Sequence, residues 1–428
     1  MKEIVIAGGI RSPFVKAGTY FKEMSAYELG AVVLKELLYR TNIGTDVIDE
    51  IIIGNVANPP EAMNIARIIA LTAGLPYDIP SFTVHRNCSS GMQAITSAYE
   101  KIQAGAAELI IAGGTESMSN IPFYLRKELK EKFSEIMRAK TTKDKIKQLI
   151  RIRPMDLIPV IGIVVGLSDP YSRLNMGQTA EILAKEFKIS RKAQDEFALW
   201  SHKKTISAIK EGRMHEEIMT IYVSPQYKEV IDKDTCARED TNMESLSKLK
   251  LVFDKENGTV TVGNSCPIND GACMVIVTTR EKALSLGLDI LGTLKSYAYA
   301  GLDPKRMGLG PVFSTYKLFK KINLKLKDVE LIEINEAFAA QVLACETAFS
   351  SKEFFKINFG NSETIGEINR DILNVNGGAI AIGHPVGATG TRMVLTLLKE
   401  MKRRNISLGL ASLCIGGGQG AALLFERS

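Results

Sequence analysis

The feature that most constrains this chain is a loose internal repeat. Residues 83–102, TVHRNCSSGMQAITSAYEKI, followed by ELIIAGG, have the pattern strand, loop, helix and strand. Residues 373–401, LNVNGGAIAIGHPVGATGTRMVLTLLKEM, followed by GLASLCIGGG, have the same pattern. Alternation of β-branched runs with helical periodicity is typical of α/β layers. The repeat therefore predicts two halves related by a pseudo-twofold axis, with the two loops facing each other.

Each half also carries short β-branched runs that predict four strands. The predicted strands lie at 3–7, 50–54, 82–85 and 108–112 in the first half, and at 329–334, 371–375, 408–412 and 421–425 in the second.

A segment with a different residue pattern, residues 120–250, separates the two halves. It contains a charged helical stretch at 125–151, an apolar stretch at 157–167 and amphipathic helices between 176 and 211. A long interruption after a sheet strand is typical of a loop domain with its own role. We expect three units: an N-terminal half at 1–119 completed by 251–278, an inserted loop domain at 120–250, and a C-terminal half at 279–428.

Charge and cysteine usage exclude several function classes. The net charge is +6, but residues 120–155 alone hold eleven Lys or Arg against four acids, so the basicity is local and does not indicate nucleic-acid binding. Six cysteines without C-x-x-C spacing predict neither a disulfide scaffold nor a zinc site, and favour a reducing cytoplasm. The apolar run at 4–10 is too short for a signal peptide, and the uncharged segment 405–425 predicts two strands around a glycine turn.

Cys88 stands where a predicted strand ends and a helix begins. The free amides of a helix start favour a thiolate, and Ser89, Ser90 and Gly91 permit a tight entry into the helix. A lone cysteine is more often a small buried side chain than a nucleophile. The segment alone leaves both interpretations open.

Three further segments favour chemistry. His384 lies in a loop with five glycines before a helix, which holds an imidazole in one orientation and lets backbone approach a ligand, whereas His85, His202 and His215 lack such a setting. Cys414 follows a strand in SLCIGGGQG, where the glycines suit an oxyanion site better than a phosphate loop. Asn335 ends another strand, where an asparagine is more often a helix cap.

Together these segments, NCSSGMQA, NEAFA, GHPVGATG and CIGGGQG, resemble the thiolase family in sequence and in order. GGTESMS, NMGQTAE, NGTVTVGNSCPINDGA and DPKRMGLGP are also similar to thiolase segments, so the resemblance spans essentially the whole chain. It implies a layered α-β-α-β-α core with an inserted, mostly helical loop domain. Ketosynthases share the fold, but the second cysteine favours a thiolase.

The resemblance implies a role for each catalytic residue. Cys88 takes the acyl group as a thioester, His384 accepts the thiol proton, and Cys414 is the general acid and base. His384 and a water held by Asn335 serve the enolate oxygen. The amides of Cys88 and Gly416 serve the acyl-enzyme oxygen.

The resemblance also implies a coenzyme A site, with coenzyme A as substrate and no permanent cofactor or metal. Arg238 and Ser245 match positions that hold the adenine nucleotide in the family. The positions that surround the pantetheine and acyl groups in the family are matched by Met176, Phe253, Met307, Ala337 and Phe338. Ser265 and Cys266 match a segment that lies near bound coenzyme A in the family. Many thiolases have His in place of Asn175 and Ser in place of Cys266, and for Met307 or Phe253 a plain core role is equally compatible.

The insert at 125–167 and a second insert at 350–371 resemble the thiolase subunit of fatty-acid oxidation trifunctional enzymes. This implies a degradative acetyl-CoA C-acyltransferase that acts on longer 3-ketoacyl-CoAs, as a homodimer or tetramer in the cytoplasm. It also implies a hydratase/dehydrogenase partner subunit and a peripheral membrane contact through 125–167, although a solvated helix is equally compatible with the insert. The alternatives are a short-chain acetyl-CoA C-acetyltransferase and a non-catalytic thiolase-like lipid carrier.

Overall fold

The computed structural model describes residues 2–427. Its strands are β1 Ile4–Arg11, β2 Val15–Lys16, β3 Glu50–Gly54, β4 Ser81–Val84, β5 Leu109–Ser117, β6 Phe123–Tyr124, β7 Val160–Ile161, β8 Ile221–Tyr222, β9 Val230–Ile231, β10 Asn269–Thr279, β11 Ile290–Gly301, β12 Leu331–Ile334, β13 Leu408–Ile415 and β14 Gln419–Glu426.

The helices alternate with these strands in both halves. They are α1 Ala26–Thr41, α2 Ile65–Thr72, α3 Ser90–Gln103, α4 Lys127–Arg138, α5 Thr142–Ile150, α6 Gly162–Gly166, α7 Met176–Glu186, α8 Arg191–Lys210, α9 Met243–Ser247, α10 Arg280–Ser285, α11 Gly310–Ile322, α12 Ala339–Ser350, α13 Lys352–Phe359, α14 Ala379–Ile382 and α15 Val386–Arg404.

The internal repeat is visible in the order of the strands. In the first half the order is β4-β3-β5-β10-β1, and in the second it is β12-β13-β14-β11, with β1 and β11 paired at the junction. β3 is parallel to β5 as β12 is to β13, and β10 is antiparallel to β5 as β14 is to β13. The predicted pseudo-symmetric halves and the layered α/β fold are confirmed.

Helices α3 and α15 form the layer between the two halves. The central core contains Met92 and Ile95 of α3 and Met393 and Leu397 of α15, packed against strand residues of both halves. A second core joins α1 and α2 to the outer face of the first half, and a third joins α11 and α12 to the outer face of the second. The two helices that follow the predicted catalytic loops are therefore neighbours in the middle of the molecule.

One predicted strand, 371–375, is wrong. Only an isolated parallel bridge joins Leu373 to Ile332, at the position that β4 has beside β3. Asn374 has a left-handed backbone with φ of 41°. Its side-chain amide forms hydrogen bonds to the backbone of β12 where a continued strand would form them with its own backbone. The amide accepts from the Ile334 N–H at 2.8 Å and donates to the Ile334 carbonyl at 2.9 Å. The other seven predicted strands are confirmed, most of them longer than predicted.

The loop domain is mostly helical, as expected, but its charged stretch is two helices. Helix α4 ends at Arg138, and Thr141 caps α5 by accepting the Asp144 N–H at 3.1 Å. The apolar stretch 157–167 contains β7 and the short helix α6. Within residues 2–427, no helix is both long and apolar enough to cross a bilayer.

Candidate active site

Cys88 lies in the turn between β4 and α3, as the sequence predicted. Asn87 adopts a left-handed backbone with φ of 44°, and Ser90 Oγ donates to the Asn87 carbonyl at 2.8 Å, which closes the turn. Gly54, at the end of β3, allows the helix start to come close, because a Cβ there would lie 2.4 Å from the Ser90 carbonyl carbon. This close approach holds the helix start against the end of β3.

The Cys88 thiol is neutral at rest. Burial raises its pKa, the amides of Gly416 and of Cys88 itself oppose that rise, and the carboxylate of Glu116 adds to it. The expectation that the helix start ionises the thiol is therefore wrong for the resting site, because desolvation outweighs the amides. Cys88 needs a base to become a nucleophile.

Three glycines bring the His384 helix against the Cys88 helix. A Cβ on Gly91 of α3 would lie 3.0 Å from the Gly387 carbonyl oxygen and 2.7 Å from the Thr391 nitrogen of α15. A Cβ on Gly390 would lie 2.7 Å from the Met92 nitrogen. Gly91 follows Cys88 by three residues and Gly387 follows His384 by three, so both catalytic loops enter the same contact between the halves.

His384 is held in one tautomer. Its ring Nδ1 lies 2.6 Å from Thr389 Oγ1, and that hydroxyl donates its single proton to the Pro385 carbonyl at 2.9 Å. Thr389 therefore accepts from Nδ1–H, which leaves the lone pair of Nε2 free to take a proton. The ring is also positioned through its backbone, since the His384 N–H donates to Asn269 Oδ1 at 3.2 Å.

The His384 imidazole is uncharged at rest. Its residue is 7% exposed, and burial, with the nearby charge of Arg392, lowers its pKa from 6.5 to about 4. A neutral thiol and a neutral imidazole therefore face the site, and the Cys88 proton must move during the reaction.

Cys414 lies near the end of β13, and Gly416 begins the turn that joins β13 and β14. Gly417 and Gly418 have φ of 86° and 82°, a left-handed region that glycine occupies without strain. Asn87 Nδ2 donates to the Gly416 carbonyl at 2.7 Å, which ties this turn to the Cys88 turn. Burial raises the pKa of Cys414 well above its ordinary value, and a thiolate on nearby Cys88 adds to the rise. Formation of the Cys88 thiolate therefore favours the protonated form of Cys414.

Asn335 follows β12, and its side-chain amide is buried without a hydrogen-bond partner among the described residues. The residue is 1% exposed, and within the described chain neither its Oδ1 nor its Nδ2 has a partner. Its backbone N–H donates to the Ser412 carbonyl at 3.0 Å, which fixes it beside β13, the strand that contains Cys414. Such a buried amide needs a water or a ligand atom to satisfy it.

The predicted acyl and pantetheine wall forms one apolar cluster with Cys414. Phe253 and Phe338 meet edge to face with centroids 6.0 Å apart, and Cys266 N–H donates to the Ala337 carbonyl at 3.0 Å. Ser265 pairs with Phe338 in a bridge. Burial, and after it the charge of a thiolate on nearby Cys88, raise the pKa of Cys266 to about 12. The cluster also contains Met176, Ala180, Ala184, Ile189, Val260, Met307 and Ala340.

Arg238 and Ser245 do not belong to this cluster. Both are exposed, on the loop domain. The Arg238 N–H donates to His202 Nδ1 at 3.2 Å, and Ser245 N–H donates to Asn242 Oδ1 at 2.9 Å, at the start of α9. His202 thus holds the backbone of the loop that carries Arg238.

The sequence did not point to three residues that shape the site: Thr389, Asn269 and Glu116. Each lies in a quoted thiolase-like segment, but nothing in the spacing reveals that Thr389 contacts His384. Among the described residues, no cluster of His, Cys, Asp or Glu is arranged to hold a metal ion. All six cysteines are free thiols.

Comparisons with known proteins agree with this architecture. The family profile described as "Thiolase, N-terminal domain" matches residues 4–281, and "Thiolase, C-terminal domain" matches residues 288–427. A 3-ketoacyl-CoA thiolase of Yersinia pestis (strain Pestoides F) is 40% identical over 424 residues, which cover 99% of this chain and 96% of that protein.

Solved structures are similar over the same length. A Bacillus anthracis acetyl-CoA acetyltransferase matches with a TM-score of 0.87 and 37% identity, covering 100% of this chain and 99% of that one. Human mitochondrial 3-ketoacyl-CoA thiolase in complex with CoA matches with a TM-score of 0.85 and 33% identity, covering 100% and 98%.

Proposed function

This chain belongs to the thiolase family, and from that premise we propose that it is an acetyl-CoA C-acyltransferase, a 3-ketoacyl-CoA thiolase of fatty-acid β-oxidation. It cleaves a 3-ketoacyl-CoA with coenzyme A and yields acetyl-CoA and a shortened acyl-CoA. The supporting observation is the contact between the Cys88 turn and the Gly416 turn, in which Asn87 Nδ2 donates to the Gly416 carbonyl.

In the first half-reaction Cys88 becomes the nucleophile. Nε2 of His384 takes the thiol proton, and Sγ attacks the C3 carbonyl of the substrate. Because Nδ1 already carries a proton toward Thr389, the ring becomes an imidazolium with an Nε2–H donor. The thiolate that forms faces the amides of Gly416 and Cys88, which also suit the carbonyl oxygen of the acyl intermediate.

The C2–C3 bond then breaks. Its electron pair passes to an enolate of acetyl-CoA, which the Nε2–H of His384 and a water on the unpartnered Asn335 amide stabilise. The Cys414 thiol, kept protonated by burial, donates its proton to C2. Acetyl-CoA leaves, and Cys88 retains the shortened acyl group as a thioester.

The second half-reaction restores the enzyme. The Cys414 thiolate removes the proton from the thiol of coenzyme A, and the new thiolate attacks the thioester on Cys88. The acyl-CoA leaves, and Cys88 recovers its proton from His384. Two half-reactions that share one covalent intermediate give ping-pong kinetics.

Coenzyme A lies across the loop domain in this proposal. The exposed Arg238 and Ser245 contact its nucleotide end, and the wall of Met176, Phe253, Met307 and Phe338 surrounds pantetheine and the start of the acyl chain. Ser265 and Cys266 continue this wall, and Ala337 joins it to Asn335. The CoA complex of the human mitochondrial thiolase supports this arrangement by its similarity to this chain.

Thiolysis assays test the proposal. We expect the protein to cleave acetoacetyl-CoA and 3-ketohexadecanoyl-CoA, and Cys88→Ser and Cys414→Ala each to lose about 10³-fold or more in kcat. Cys273→Ala is the matched control, because this buried thiol lies on β10 outside the site. Wild-type turnover in both active-site variants would contradict the mechanism.

A short-chain acetyl-CoA C-acetyltransferase is the second candidate. Similarity to the Bacillus anthracis acetyl-CoA acetyltransferase favours it. The ratio of kcat/KM for the two substrates separates the candidates, since a degradative longer-chain enzyme prefers the hexadecanoyl substrate. A non-catalytic carrier would bind both and cleave neither.

We also propose a homodimer or a larger homo-oligomer formed through β4. This edge strand pairs with β3 on one side, and within the described residues its other side has no strand partner. All four of its residues are half-buried rather than buried. A second copy pairing there continues the sheet. Sedimentation equilibrium tests it, and a monomer at micromolar concentration would contradict it.

For the insert at 125–167 we propose a peripheral contact with an anionic membrane. Met137 and Ile150 are 83% and 78% exposed, beside the exposed Phe133 and Ile146. Four lysines of the same hairpin form no ion pair within the described chain: Lys140, Lys143, Lys145 and Lys147. Exposed apolar side chains beside unpaired cations suit a lipid headgroup region, at about 1 kcal/mol per lysine.

Co-sedimentation with liposomes tests the membrane contact. We expect binding to vesicles with anionic lipid, and its loss when residues 126–153 are deleted or when Met137 and Ile150 become Ser. Ile357→Ser, which alters an exposed residue of α13, is the control. Unchanged binding after the deletion would refute the proposal, and binding of a hydratase/dehydrogenase subunit instead of vesicles would assign the surface to that partner.

A further inference from the structure

A fully buried carboxylate, Glu116, lies between the two catalytic loops. It is on β5, the strand beside β3 in the sheet. Four N–H groups donate to it and occupy both oxygens. Asn55 Nδ2 and the Ala57 amide donate to Oε1 at 3.0 Å each, and the amides of Val56 and Gly387 donate to Oε2 at 3.1 and 2.9 Å.

These four donors come from both halves of the molecule. Asn55, Val56 and Ala57 follow β3 in the first half, whereas Gly387 is in the first turn of α15 in the second half. The fit around Gly387 is close, because a Cβ there would lie 2.6 Å from the Thr115 carbonyl oxygen and 3.0 Å from Glu116 Oε2. Glu116 therefore fixes the helix start that His384 precedes by three residues.

The same carboxylate acts on the nucleophile. Its negative charge disfavours the Cys88 thiolate, in addition to burial. The other groups that face Cys88 are the amides of Gly416 and Cys88, and the thiols of Cys266 and Cys414. On the α15 side, the charged Arg392 and the neutral His384 are the nearby groups.

We propose that Glu116 is a positioning residue of the reaction: its carboxylate clamps the His384 loop against the Cys88 half, and its charge adds to burial in keeping Cys88 protonated until substrate is bound. It contacts neither thiol nor imidazole directly and acts through the Gly387 amide and through its field. Burial raises the pKa of Glu116 to about 7, so the carboxyl is half ionised there and the charge of the clamp grows as the pH rises further.

A glutamine cannot reproduce the clamp. An amide has one oxygen in place of two, so its NH₂ group must face either the N–H groups of Asn55 and Ala57 or those of Val56 and Gly387. On that side, hydrogen-bond donors face each other and no bond can form. Glu116→Gln therefore removes the charge and loosens one pair of bonds. Glu116→Asp keeps the charge but shortens the reach, which separates the two effects.

The test measures Cys88 alone. Iodoacetamide alkylation is followed by mass spectrometry of the tryptic peptide 87–101, whose only cysteine is Cys88. We expect Glu116→Gln to lower the pH midpoint of alkylation by roughly 1 unit, and kcat by about 100-fold with KM for coenzyme A within twofold. Glu116→Asp keeps the wild-type midpoint and loses kcat.

Glu181→Gln is the matched control. Glu181 is a buried carboxylate on α7 held by the amides of Thr259 and Val260, and its charge is not among those that act on Cys88. It should lose stability without moving the alkylation midpoint. The proposal is overturned if Glu116→Gln keeps the wild-type midpoint, or, should that variant not fold, if Glu116→Asp keeps wild-type kcat. The kinetic part rests on the proposed thiolase reaction, whereas the alkylation part does not, so a protein without thiolysis activity still reports on the charge.

Discussion

Replacing Thr389 with valine tests whether the His384 tautomer matters to the reaction. Valine has nearly the shape of threonine but lacks Oγ1, the atom that lies 2.6 Å from Nδ1 and commits its proton to the Pro385 carbonyl. The buried ring then has no acceptor for Nδ1–H in the described chain, and the tautomer with the proton on Nε2 becomes accessible. That tautomer cannot accept the Cys88 proton.

The size of the effect follows from the charge that develops. When His384 takes the Cys88 proton it becomes an imidazolium, and a hydrogen bond to a charged group contributes about 1.5–3 kcal/mol. At 1.36 kcal/mol for each factor of ten, kcat should fall roughly 10- to 150-fold. KM for coenzyme A should stay within twofold, because Thr389 lies beneath the ring and away from the predicted CoA wall.

Stopped-flow or steady-state thiolysis of acetoacetyl-CoA measures this change. Thr389→Ser is the matched control, since it keeps the hydroxyl and should keep at least half of the wild-type kcat. Turnover of Thr389→Val within twofold of the wild type would refute the tautomer argument. An equal loss in the serine variant would assign the effect to packing instead.

Three further predictions test other parts of the account. Asn335→Ala should lower kcat about 100-fold without changing Cys88 alkylation, because the amide serves only the enolate oxygen; slower alkylation in this variant would contradict that role. Gly114→Ala should cost about 3 kcal/mol in urea unfolding, since its Cβ would lie 2.0 Å from the Gly387 carbonyl oxygen, whereas Gly166→Ala, which meets no atom within 4 Å, should cost little. Burial lowers the pKa of both His384 and His202 from 6.5 to about 4, so at these two sites the unfolded chain binds more protons in that window. Each histidine should therefore lower the free energy of unfolding by roughly 3 kcal/mol as the pH falls from 6.5 toward 4, whereas the carboxyl of Glu116, whose pKa burial raises to about 7, has the opposite effect. In chemical unfolding at each pH, the free energy of unfolding of the wild type should fall by roughly 3 kcal/mol relative to that of His202→Asn over this range, and an unchanged difference would contradict the prediction.

The sequence predicted the halves and the loops because both depend on local patterns. Short β-branched runs at 50–54 and 408–412, and glycine-rich loops before helical periodicity, are encoded within about twenty residues each. The side chains brought together at the site were predicted through motifs and their order, not through distances. The strand at 371–375 was wrong because Asn374 bonds Ile334 with its side chain, which periodicity cannot reveal.

The protonation state of Cys88 was the other error, and it has a different cause. A helix start lowers a thiol pKa when the thiol is near solvent, but here burial between the halves reverses the direction. Glu116 was missed for the same reason, since its contact with Gly387 exists only after the second half packs on the first. Thr389 was missed because its contact with His384, five residues away in the same segment, depends on how that loop enters its helix. Burial and contacts across the interface are products of tertiary structure.

The central claim is that Cys88 carries the acyl group. The most direct measurement is acid quenching of the enzyme after incubation with isotopically labelled acetyl-CoA in the absence of free coenzyme A, followed by tryptic mass spectrometry. We predict one labelled acetyl group on peptide 87–101, which contains Cys88, and none on peptide 405–427, which contains Cys414. Label on 405–427, or on neither peptide, would contradict the account.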